Sequence, residues 1–146
     1  MRSPNSVDAC TQCLTADADM ASLDALQTFA RSCLHRSGGP EALQGKIELV
    51  LEELLVNVFN YAYPRDCPGQ VTLCCRCEAD RLAFIIKDRG AAFDPLERAT
   101  ADTSLDIEQR PIGGLGIHLV RNMADSIVYE RRDGFNVLTV TFSLSQ

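Results

Sequence analysis

No run of apolar residues in this chain is long enough to cross a bilayer, which takes about twenty consecutive positions. Nor is there an excess of basic charge: 14 Lys and Arg stand against 20 Asp and Glu, a formal net charge of -6. A general basic face for nucleic acid or for an anionic membrane is therefore not expected. After Arg2 the first ten residues carry no apolar signal-peptide core, which points to a cytoplasmic protein. Internal repeats, low-complexity tracts and linkers are also missing. The seven cysteines are an odd number, so a complete set of internal disulfides is excluded and reduced thiols are expected.

The cysteines that are present raise zinc as a question. Cys10 and Cys13 have CxxC spacing, while Cys74, Cys75 and Cys77 crowd one short segment. If that segment is a strand, Cys75 and Cys77 share one face and Cys74 points to the other. Structural zinc takes paired ligands from turns or knuckles, not from inside a β pattern. Small, buried, apolar cysteine is the better expectation.

At 146 residues, with 46% hydrophobic and 23% charged positions, the chain has the size and balance of one soluble domain, 1–146. Residues 1–7 read as a loose tail and Val7 to Thr15 as a short strand. A helix capped by Asp19 or Ser22 runs to about His35, stopped by Ser37-Gly38-Gly39-Pro40. A second helix follows to about Tyr63. Strands over 70–78 and 81–88 form a hairpin turned at Ala79-Asp80. Residues 94–112 are polar and aperiodic, and 115–123 fits a third helix. Strands near 126–131 and 135–143 close the chain, turned by Asp133-Gly134. This order predicts α+β, a two-layer sandwich with one mixed, mostly antiparallel sheet covered on one face by about three helices.

Three separated fragments carry the chemistry. On the second helix, Lys46, Glu53, Asn57 and Asn60 form a polar stripe distinct from that of Glu48 and Glu52. One wet face needs only one stripe; a second suits a helix lining a cavity, or else a solvated flank. Glu53 and Asn57 are neighbours at i, i+4. Such oxygens suit Mg2+, and a free acid beside them suits a general base. In the strand ending at Asp88, Leu82, Phe84, Ile86 and Asp88 share one face, so the carboxylate points where the large apolar side chains point. A buried carboxylate needs a donor. An adenine amino group meets that need, with Gly90 letting a flat ring approach; turn amides after Asp88 would meet it too. Gly113-Gly114-Leu115-Gly116 opens the third helix, where free amides attract phosphate, and Arg110 stands just before it.

Together, Glu53-x3-Asn57 with Tyr61, Asp88-x-Gly90-x2-Phe93-Asp94-Pro95, and Arg110 through Ile117 resemble the Bergerat-type ATPases of gyrase, histidine kinases and mismatch-repair proteins. The nearer resemblance is to the anti-sigma factor serine/threonine kinases of bacterial partner switches, from about Val7 to Phe142. It implies the Bergerat fold, ATP and Mg2+ as cofactors, Asn57 as Mg2+ ligand and Glu53 as catalytic base. It implies Asp88 accepting from adenine, with Gly90 and Phe93 beside the ring. Arg110, Gly113, Gly114, Leu115 and Gly116 would meet phosphate, and 96–112 would form the lid. Thr139 would support the adenine pocket, with Thr141 as its alternative. The implied partners are a STAS-domain anti-anti-sigma protein, a sigma factor, and a second copy in a homodimer.

Two features depart from the pattern. Tyr61 stands where many such kinases have histidine, and the lid is acidic through Glu97, Asp102, Asp106 and Glu108. The long phosphoacceptor helices of a histidine kinase are absent. The function expected is thus an ATP-dependent protein serine/threonine kinase. The alternatives are a non-catalytic, nucleotide-gated binding module and a plain structural domain without nucleotide affinity.

Overall fold

The computed structural model describes residues 11–96 and 114–145, with 114–117 described by backbone alone. The chain begins with β1 (Gln12–Asp17), followed by a 3-10 turn at Met20–Ser22 and helix α1 (Leu23–Ser37). Helix α2 (Leu43–Tyr61) and the strands β2 (Gln70–Glu78) and β3 (Arg81–Asp88) come next. Helix α3 (Gly114–Met123), β4 (Ser126–Arg132) and β5 (Phe135–Ser143) complete it. The expected elements are present, and β2, β3 and β5 have the expected bounds. The first strand is the exception: its described part is Gln12–Asp17, later than Val7 to Thr15. The tail 1–7 and most of the expected lid lie outside the described residues.

The sheet order is β1-β2-β3-β5-β4. All four described pairings are antiparallel, so no parallel pair of a mixed sheet occurs among them. Two hairpins account for two of these pairings. Asp133 and Gly134 both take positive φ, 55° and 84°, the backbone that lets a two-residue turn follow the strand twist. Ala79 takes φ 52° in the other turn without being glycine or asparagine. Register then joins the hairpins through β3 and β5, placing Asp88 opposite Asn136 and Leu82 opposite Phe142.

Alternation along these strands sorts the side chains into two faces. Leu73 on β2, Phe84 and Ile86 on β3, and Val140 and Phe142 on β5 are buried under the helices. Phe84 and Phe142 meet edge to face with ring centroids 6.3 Å apart, the favoured aromatic geometry. Leu26 and Ala30 on α1, Leu51, Leu54 and Leu55 on α2 and Val120 on α3 fill the layer above. Helix α1 stops where Gly38 adopts the left-handed conformation (φ 76°) and returns its N–H to the His35 carbonyl. Gln27 donates to the Glu48 backbone oxygen at 2.8 Å, and Arg31 pairs with the Glu48 carboxylate at 2.8 Å, tying α1 to α2. The Arg31 hydrogen bond holds the Glu48 carboxyl below its ordinary value. That contribution is small at this exposure, is present at neutral pH, and is lost as pH falls through the lowered Glu48 value.

Four cysteines differ from expectation. Cys13 on β1 and Cys74 on β2 are register partners and form a disulfide, and Cys33 on α1 is bonded to Cys75 on β2. Adjacent residues of one strand point to opposite faces, so Cys74 meets the neighbouring strand outside the core while Cys75 meets a helix within it. Burial of Cys33, Cys74 and Cys75 is as expected. Their pairing needed the register and the helix position, which spacing along the chain does not contain.

The Ala79 turn gives the first test. A left-handed alanine costs about 1 kcal/mol or more, and glycine removes the clash while adding some unfolded-state entropy. Ala79→Gly is expected to raise stability by about 0.5 kcal/mol in urea denaturation; a loss of that size would contradict the turn geometry.

Candidate functional site

The site grows from the C-terminal halves of α2 and β3. Asn57 lies on α2 on the face turned towards the sheet, and only 4% of it is exposed. Asp88 ends β3 on the helix-facing side and is 5% exposed. Leu54, Val58, Ile86 and Leu138 supply apolar walls between them, while Phe93 and Pro95 enclose one side. An apolar cavity with few convergent polar groups is the ordinary form of a small-molecule site. Its free space is about 20 Å³, enough for a water molecule.

Asp88 has the environment a buried carboxylate requires. Its Oδ1 accepts from the Gly90 N–H at 2.8 Å and from Asn136 Nδ2 at 2.9 Å. The turn amide therefore does satisfy part of the carboxylate. Among the described residues nothing donates to Oδ2, which leaves that oxygen for a donor in the cavity. Likewise no described group hydrogen-bonds the Asn57 side-chain amide, although it lines the same cavity.

Gly90 serves a purpose besides the one sequence suggested. A Cβ built on it would lie 2.1 Å from the Ala62 carbonyl oxygen, so the glycine is needed for close packing against the end of α2. Ala91 N–H then bonds that same carbonyl at 3.2 Å. Phe93 is held over the mouth by stacking on Tyr61, centroids 5.4 Å apart. Tyr61 thus packs against the segment that covers the cavity.

The residue to which sequence reasoning gave no role in the site is Asn136. It is 5% exposed and joins the end of β3, the loop after it and β4. Its Nδ2 donates to Asp88 and to the Ala91 carbonyl, both at 2.9 Å. Its Oδ1 accepts from Phe93 N–H at 3.3 Å, from Arg131 at 3.1 Å, and from the Tyr129 hydroxyl. Arg131 also donates to the Gly90 carbonyl at 2.8 Å. Counting residues from the Asp133-Gly134 turn would have put Asn136 on the inner face; its place beside Asp88 needed the β3–β5 register.

Thr139 is a correction. It pairs with Ile85, three residues from Asp88 along β3, and so lies on the outer face of the sheet, away from the cavity. Thr141, paired with Ala83, shares that outer face. Glu53 is half-buried one turn before Asn57 but is not part of the cavity wall. Gly114, Leu115 and Gly116 lie in the first turn of α3, where backbone amides lack intrahelical acceptors. Arg110 and Gly113 lie outside the described residues.

Removing the hub should be costly. Asn136→Ala strips one donor from the Asp88 carboxylate and one acceptor from Phe93 and Arg131, and is expected to lower stability by about 1–3 kcal/mol. Urea denaturation checks this; an unchanged midpoint would mean that water replaces the amide.

Comparison with known proteins agrees with this architecture. A family model described as a histidine kinase-like ATPase domain matches residues 16–142. The serine/threonine-protein kinase BtrW of Bordetella bronchiseptica is 30% identical over 99 residues, 68% of this chain and 70% of that protein. Serine-protein kinases RsbW of Bacillus cereus and Bacillus thuringiensis are 28% identical over 100 residues, 66% of this chain and 62% of theirs. The match therefore takes in less than two thirds of the Bacillus proteins. Because the family match runs from within β1 to within β5 and contains the whole cavity, this chain belongs to the histidine kinase-like ATPase domain family.

Proposed function

We propose that this chain is an ATP-dependent protein serine/threonine kinase of a bacterial partner switch, an anti-sigma regulatory factor that phosphorylates a STAS-type anti-anti-sigma protein. The observation that carries the nucleotide part is the Asp88 carboxylate, buried in an apolar cavity with Oδ1 occupied and Oδ2 open. An adenine amino group is the donor that fits an acceptor so placed. The protein-kinase part rests on relatives named as serine or serine/threonine kinases. The STAS partner, a sigma factor and a homodimer follow from the family resemblance.

The residues present fit the cofactors. Asn57 offers one neutral oxygen beside the cavity, and Mg2+ bound with nucleotide characteristically takes one or two protein ligands and completes its shell with phosphate oxygens and water. When bound, Mg2+ neutralises charge on the transferring phosphoryl group. Asp88 accepts from the purine, Asn136 holds Asp88 in place, and Phe93 excludes water from the ring. The glycines at the start of α3 offer amides to phosphate, together with Gly113 and Arg110. Glu53, one turn from Asn57 and partly open to solvent, accepts the proton of the attacking hydroxyl. The domain assignment is 1–146 with a lid at 96–112.

Glu53 lies outside the cavity wall, which keeps a non-catalytic, nucleotide-gated binding module as the second reading. Two measurements separate them. Calorimetry with ATP is expected to give Mg2+-dependent binding near micromolar, roughly -8 kcal/mol. Asp88→Asn should weaken it by about 10- to 100-fold, the worth of a charged hydrogen bond. Folded protein without affinity for ATP would refute the nucleotide site. Glu53→Gln should bind ATP as before and lose phosphoryl transfer to the STAS protein by about 100-fold or more. Unchanged transfer would remove Glu53 from the role of base, and no transfer by the unaltered chain would favour the binding module.

A further inference from the structure

The outer face of the sheet carries chemistry that nucleotide binding does not use. Cys13 lies on β1, which among the described residues pairs with β2 alone, and Cys74 faces it across the ladder. Cys13 is exposed, whereas the other bonded pair, Cys33 and Cys75, is 3% and 4% exposed beneath α1. One disulfide is therefore open to a small reagent and the other is shielded.

The open disulfide does not lie on neutral ground. Cys13 and Cys74 line a groove of about 490 Å³, within the range of small-molecule sites. Three cations, Arg76, Lys87 and Arg132, share that lining with one acid, Asp133. Arg76 has Glu78 at 3.5 Å and Arg132 pairs with Glu130. Lys87 sits 5.6 Å from the Phe135 ring centroid, and no described carboxylate pairs with it. Lys87 is thus, among the described residues, the unneutralised cation of the groove, a positive field confined to its own neighbourhood beside the disulfide. Such a field attracts anionic thiols and stabilises the thiolate that leaves when the disulfide opens.

We propose that Cys13–Cys74 is a reversible thiol-exchange site for an anionic low-molecular-weight thiol of the glutathione class. The thiolate attacks Cys13 Sγ, a mixed disulfide forms there, and Cys74 leaves as a thiolate that takes a proton from water. A second thiolate attacks the small-molecule sulfur of the mixed disulfide. Cys13 is released as a thiolate and protonated, and the small-molecule disulfide departs. Two electrons pass from two small thiols to the protein disulfide, and the reverse reaction restores it. Opening the bond removes the covalent tie of β1 to β2, its one strand neighbour among the described residues, and leaves the wall of the Asp88 cavity intact. The site is independent of the nucleotide reading.

The test uses the whole chain, equilibrated with oxidised glutathione and then titrated with reduced glutathione under native conditions, with disulfide-linked peptides mapped by mass spectrometry. The Cys13–Cys74 peptide pair is expected to disappear first, through a glutathione adduct on Cys13, while Cys33–Cys75 persists until denaturant is added. Amide exchange in β1 should quicken by about tenfold on reduction. The reaction rate with glutathione should fall about threefold or more in Lys87→Gln, while the rate with cationic cysteamine stays level or rises. Cys13→Ser should abolish the adduct. Absence of the linked peptide after oxidation, simultaneous reduction of both disulfides, or an equal effect of Lys87→Gln on both thiols would overturn the proposal.

Discussion

The hydrogen bond from Asn136 to Asp88 is the contact through which the two hairpins become one site. A carboxylate at 5% exposure on the core side of a sheet is tolerated only when donors meet it. Here one donor is local, the Gly90 amide, and the other comes from β5, 48 residues later. Asn136 then uses its remaining capacity on Ala91, Phe93, Tyr129 and Arg131, so the loop after β3 is positioned by the strand beside it. The polar network is nearly enclosed, and its members hold each other in single geometries.

Around that contact the packing is conventional and local propensity agrees with tertiary demand. The large inward side chains of β3 and β5 interlock with leucines of α1 and α2, and the glycine at 90 allows β3 and the end of α2 to touch. The cavity is what remains where α2 turns a polar position, Asn57, towards the sheet. Tyr61 and Phe93 stack across its mouth, so one aromatic contact couples α2 to the covering segment. Under the proposed function, charge neutralisation for a polyphosphate in this acidic chain would fall to backbone amides and Mg2+.

Much of the fold was legible because its signals are local. The Asp133-Gly134 turn, the alternation in 81–88 and the Gly38 stop each act within a few residues, and each appears where expected. Asn57 and Asp88 were legible as inward polar groups for the same reason: helical and strand periods place them on the faces that line the cavity. Thr139, which only the family resemblance implied, lies on the outer face instead. One step of the period-two pattern separates the core face from the solvent face, and Thr139 falls on the latter.

The sequence by itself determined the element order, the two-layer class, the family, and two of the inward polar groups, since periodicity and turn chemistry are written in short stretches of chain. Only the tertiary structure decided that Asn136 completes Asp88, that Gly90 clears Ala62, and that Cys13 and Cys33 reach Cys74 and Cys75. Each of these joins residues 28 or more positions apart. Their meeting depends on strand register and helix placement, which arise from the packing of the whole core and not from any single segment.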